Sequence, residues 1–166
     1  MTVTAEALEL VATVEPDIER LMGEHRERRQ HWYAHDVVPW ELGRNFRDEP
    51  WDESQATLSP EVRTALHLNL LTEDNLPYYH AKIAGSFPED SPMAEWSRLW
   101  TAEEGQHAIA IRNYLLVTRN CDPAQLEDER LATVTKGWTY GAPCPVELFA
   151  YTSAQELATR ISHRNA

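Results

Sequence analysis

Cysteine is scarce in this chain. Its two residues, Cys121 and Cys144, lack a CxxC spacing, which excludes a disulfide-framed scaffold, argues against a thiolate zinc site and suits free thiols in a reducing compartment. Long hydrophobic runs are missing too: none approaches the roughly 20 residues that span a bilayer. Met1 to Val14 has neither the basic start nor the small-residue cleavage site of a signal peptide, so a cytoplasmic protein without a membrane partner is expected. Positive charge is short, with 15 Lys and Arg against 27 Asp and Glu, a net charge of −12. Nucleic acid is thereby excluded as a partner, because its phosphates would be repelled. The local basic stretches, His25 to Arg29 and the pair Arg160 and Arg164, read as solvated helix faces. No segment shows the alternation of a strand, and no short repeat is present.

What remains is helical. With 166 residues, 42% of them hydrophobic, the chain suits a single domain over 1–166 with a real core. Apolar spacing predicts a helix from Ala5 to about Tyr33, with Pro16 as a kink or a start. The aromatic stretch from His35 to Trp51 reads as an ordered loop. Ser59-Pro60-Glu61 predicts a helix start and a run to about Ile83, bent at Pro77. Ser91-Pro92 opens a helix to about Thr118, and Asp122-Pro123 one to about Lys136. After a loop from Gly137 to Pro145, a last helix reaches nearly to Ala166. The expected fold is an all-α helical bundle, in which sites form from inward-facing side chains of several helices.

Three of these helices carry acid where a core stripe should be apolar. Trp96, Trp100, Glu104, His107, Ile111 and Tyr114 share one face, so Glu104 and His107 form a Glu-x-x-His pair able to converge on one ion. Val62, Leu66, Leu70, Glu73, Pro77 and His80 make a second row; Phe149, Thr152, Glu156, Thr159 and His163 make a third. Burying an unpaired carboxylate costs several kcal/mol, so each row calls for a partner such as a metal.

Leu71 to Pro77, Trp100 to His107, and Tyr151 to Glu156 continued to His163, with a softer match at Trp32 to Pro39, resemble the acyl-carrier-protein desaturases, soluble ferritin-like di-iron carboxylate proteins. The resemblance runs from about residue 7 to the last. It implies a ferritin-like bundle holding two irons, with Glu73 a terminal ligand, Glu104 a bridge, His107 the nitrogen ligand of the first iron and Glu156 a terminal ligand of the second. It places Thr159 beside the oxygen-binding side of the cluster and Trp32 on the electron-entry side. Tyr79, Ile83 and Phe149 would line the acyl channel. The reaction implied is oxygen-dependent insertion of a cis double bond into a saturated acyl chain on acyl carrier protein, with ferredoxin as electron donor. Hard carboxylates with one imidazole per iron suit that chemistry. Glu103 and Arg112 are candidates for orienting the ligands.

One departure is large. Such centres use a Glu from each of two helices and a Glu-x-x-His from each of two others. Here only His107 qualifies; the residues three before the other histidines are Met22, Arg28, Trp32, Thr64, Pro77 and Arg160. The bundle is therefore expected to be C-terminally incomplete relative to the family, lacking the helix with the second Glu-x-x-His. Three consequences stay open: a homodimer sharing ligands across a twofold, a portion of a longer enzyme, or a non-catalytic helical module that keeps carrier-protein docking or dimerisation without a cluster.

Overall fold

Prolines punctuate the helices. Ser59, Ser91 and Asp122 each accept a backbone N–H of the turn that follows, at 3.4 Å from Val62, 3.2 Å from Ala94 and 2.8 Å from Ala124. A proline follows each cap, where its missing N–H has no intrahelical acceptor to lose. The computed structural model describes residues 5–139 and 145–165. Its α-helices are α1 Ala5–Arg28, α2 Ala34–Val37, α3 Pro60–Glu73, α4 Leu76–Ala84, α5 Pro92–Val117, α6 Pro123–Lys136 and α7 Pro145–Asn165, with 3₁₀ turns at Trp40–Leu42 and Glu53–Gln55. There is no strand among the described residues, so the chain is all-α as expected.

Two boundaries differ from the sequence expectation. α1 stops at Arg28 rather than near Tyr33. The residues after it leave the helix so that Trp32 can lie on His107 and the Ala34 N–H can reach Gln106 Oε1 at 3.1 Å. The helix expected from Pro60 to Ile83 is two helices, broken at Asp74 and Asn75. Pro77 falls in the first turn of α4, where it starts a helix instead of bending one. The break is held by Arg130, whose guanidinium grips the Asp74 carboxylate and also donates to Glu127 at 2.7 Å.

α5 is the central element, packing against α1, α2, α3 and α4. Two apolar clusters form around it. The first joins Val11, Ile83, Phe87, Met93 and Leu148, with Trp96 and Trp100 against them. The second joins Leu70, Leu115 and Leu126, with Ala108 and Ile111 against them. Along α5 the order is therefore apolar, then Glu104 and His107, then apolar again.

The stretch from His35 to Trp51, expected as a loop, begins within α2 and carries a 3₁₀ turn, and its later part is tied to the end of α5 by Arg119. Arg119 follows α5 with φ 58° and is 0% exposed. It donates to the Glu49 carbonyl at 2.8 Å and Gln55 Oε1 at 2.9 Å, and lies 4.4 Å from the centre of the Phe46 ring. Beside it, Asn120 Oδ1 accepts the backbone N–H groups of Thr57 and Leu58 at 2.9 and 2.8 Å. Cys121 is a free, half-buried thiol pushed up to about 12, chiefly by burial. Cys144, most of the loop before α7, and Ala166 lie outside the described residues.

Candidate metal centre

Packing α3 on α5 brings the last turn of α3 opposite the middle of α5. Glu73, only 8% exposed, then faces Glu104 and His107. One ligand atom from each of these three lies within 4.8 Å of the other two. His107 Nδ1 is 2.6 Å from Glu104 Oε2 and 3.7 Å from Glu73 Oε2. An imidazole nitrogen set between two carboxylates could offer a first-row divalent cation hard oxygen and one nitrogen. Without a metal, the Glu104 and then the Glu73 carboxylate raise the His107 pKa to about 10.

The structure does not bring every expected ligand to that point. Glu156, on α7, stands outside the close group and keeps an exposed face. Burial of its inner side, then Glu104 and Glu73, push its pKa to about 7, so it senses the cluster electrostatically. Thr159 is half-buried one turn on, and its Oγ1 accepts from Gln155 Nε2 at 3.1 Å. Trp32 stacks on the His107 ring, with centroids 5.5 Å apart and planes 20° apart. Glu103 and Arg112 do not orient the ligands. Glu103 takes His25 Nε2 of α1 at 2.8 Å and Arg29 Nη1, just past its end, at 2.5 Å, whereas Arg112 donates twice to Glu127 of α6.

His163 is the residue the sequence named without a role. Its Nε2 lies 3.3 Å from Glu73 Oε1, and it ends the same helical row as Glu156 and Thr159, which was the available signal.

A cavity of about 510 Å³ opens beside the cluster, within the range of small-molecule sites. Tyr79, Ile83 and Phe149 all line it, as do Trp96 and Trp100, and Glu104 and Glu156 are among its polar lining residues. Tyr79 meets Trp138 edge-on at 4.8 Å. Burial, before neighbouring Tyr151, raises the pKa of the Tyr79 hydroxyl.

Metal binding here should depend steeply on pH. A cation must displace the His107 proton, which is held up to about pH 10. Apparent ferrous affinity is thus expected to rise about tenfold per pH unit from about pH 7 to 9. Anaerobic titrations at several pH values check this. A slope that steepens below pH 7 also assigns Glu156 to the metal, since it too must then lose a proton.

The sequence matches the fatty acid desaturase family over residues 6–166. It is 42% identical to DesA1 of Mycobacterium tuberculosis, named as a candidate acyl-(acyl-carrier-protein) desaturase, over 95% of this chain and 50% of that protein. It is 37% identical to DesA2 of the same organism, over 97% and 59%. With the acyl-(acyl-carrier-protein) 6-desaturase of Thunbergia alata the identity is 31%, over 81% and 37%. The X-ray structure of DesA2 from Mycobacterium tuberculosis H37Rv superposes with a TM-score of 0.58 at 34% identity, covering 81% of this chain and 48% of that one. The chain spans about half the length of the curated relatives it matches.

Proposed function

The chain belongs to the acyl-carrier-protein desaturases of the fatty acid desaturase family, and from that membership we propose that it holds iron on Glu73, Glu104 and His107. Its reaction on this reading is oxygen-dependent insertion of a cis double bond into a saturated acyl chain presented by acyl carrier protein. One observation carries the proposal: Glu104 belongs both to the candidate metal group and to the wall of the apolar cavity. A chain lying in that cavity would pass beside a ligand of the metal.

Bound iron supplies the reduction of dioxygen and the removal of hydrogen from two adjacent methylenes. The protein's own residues do the rest. Ile83, Phe149, Trp96 and Trp100 line the cavity and exclude water from the chain. Thr159 accepts its hydrogen bond from Gln155, which leaves its own hydroxyl proton free for the oxygen side of the site. Trp32, 39% exposed and stacked on His107, offers a route for electrons from a ferredoxin. No helix among the described residues is long and apolar enough to cross a membrane, and a cytoplasmic place of action is part of the same proposal.

The 166 residues carry one Glu-x-x-His, so the second ligand set of a two-iron centre comes from elsewhere. On this reading it comes either from further sequence of the same protein, since the chain spans about half the length of its relatives, or from a second copy in a symmetric dimer. Leu157 and Ile161 of α7 are among the large apolar side chains left more than half exposed. Mixing wild type with Glu104→Ala chains should lower iron per dimer; full loading would rule the shared site out. The alternative is a helical module without a cluster, which the same exposed face favours.

Turnover is tested by incubating the reconstituted protein with saturated acyl-carrier-protein substrates, ferredoxin and its reductase, and analysing the released fatty acids. An oxygen-dependent unsaturated product is expected. Filling the cavity with Ile83→Trp should weaken acyl-chain binding about tenfold, or about 1.4 kcal/mol, by calorimetry with a long saturated acyl carrier protein. Unchanged binding would place the chain elsewhere.

A further inference from the structure

The carboxylate of Glu73 is approached from both sides by imidazole. His107 Nδ1 stands 3.7 Å from Oε2, and His163 Nε2 stands 3.3 Å from Oε1. The two rings meet nearly at right angles, with centroids 5.9 Å apart. His163 Nε2 is buried and has no hydrogen bond among the described residues. A buried polar nitrogen without a partner costs about 1–3 kcal/mol, so it calls for one within reach. The Glu73 carboxylate stands beside it.

α7 is pinned at this level by a second contact. Ser162 donates to Asn69 Oδ1 at 2.8 Å. Asn69 is 5% exposed and lies one turn before Glu73 on α3. Successive residues of α7 therefore address successive turns of α3, and the position of His163 is set by the helix pair.

From this geometry we infer that His163 is a positioning residue for the metal centre, donating from Nε2 to Glu73 Oε1 so that Oε2 is left for the cation. The inference rests on the reading of Glu73, Glu104 and His107 as ligands. A carboxylate free to rotate would present either oxygen or both; one tethered through Oε1 presents a single oxygen toward His107. Partners of this kind fix ligand orientation, and their loss typically lowers metal affinity 10- to 100-fold, about that range. His163 is not itself in the close ligand group, whose members are Glu73, Glu104 and His107. Its task is the direction of Glu73.

Cobalt(II) titration of wild type, His163→Ala, His163→Gln and Glu104→Ala tests it, with the visible ligand-field spectrum and the thermal unfolding midpoint recorded for each. Wild type should bind, and Glu104→Ala should lose binding. His163→Ala should bind about 10- to 100-fold more weakly with an altered spectrum and a near-unchanged midpoint without metal. His163→Gln, whose amide N–H reaches toward the same oxygen, should recover most of the affinity and the wild-type spectrum. Wild-type affinity in His163→Ala would overturn the inference while leaving the metal centre standing. So would His163→Gln as weak as His163→Ala with a lost coordination band, because that pattern makes His163 a ligand. No cobalt binding by wild type would overturn the ligand reading and the inference together.

Discussion

Arg119→Ala should cost about 3 kcal/mol of stability, from neutral buried acceptors left unpaired, at about 1–3 kcal/mol each, and from the space left empty. Arg119 is fully buried and ties the Glu49 carbonyl and Gln55 Oε1 to the end of α5. Truncation leaves those acceptors without their donor, empties the space beside Phe46 and removes the cation from over its ring. Arg119→Lys should recover only part, because a single ammonium cannot reproduce the forked contacts. Chemical denaturation measures both. A loss below about 1 kcal/mol for the alanine variant would mean the stretch from His35 to Trp51 is held by other contacts. The consequence reaches the site, because the same stretch is continuous with α2, whose first N–H is bound by Gln106 beside His107.

Glu104→Ala should reduce ferrous affinity at least about 100-fold, roughly 2.7 kcal/mol. Glu104 is the group closest to His107 and the first cause of its raised pKa. It is also the first charged group acting on Glu156. The variant therefore carries its own control in the metal-free protein. The His107 pKa should fall from about 10 and that of Glu156 from about 7, both readable by NMR titration. Loss of metal without those two shifts would point to a disturbed fold rather than a missing ligand.

Much of this arrangement was legible from spacing. Ser59-Pro60, Ser91-Pro92 and Asp122-Pro123 combine a side-chain acceptor with a residue that lacks an N–H, a local instruction that needs no tertiary help. Glu104 and His107 were legible because one turn of helix fixes their mutual position. The break at Asp74 was not, since it depends on Arg130, 56 residues away. The end of α1 was not, since Trp32 leaves the helix to meet His107. Glu156 shares a row with Thr159 and His163, yet the placement of α7 on α3 brings His163 to Glu73 and leaves Glu156 at the rim. Relations within a helix are local geometry; relations between helices are set by packing that no single stretch encodes.

The central claim is that Glu73, Glu104 and His107 bind iron. The most direct measurement is iron per chain by elemental analysis, after ferrous reconstitution without oxygen and removal of loose metal. A value near one iron per chain for wild type, falling toward zero in His107→Ala, is the predicted result. A value near zero for wild type, or equal values for both proteins, would contradict it.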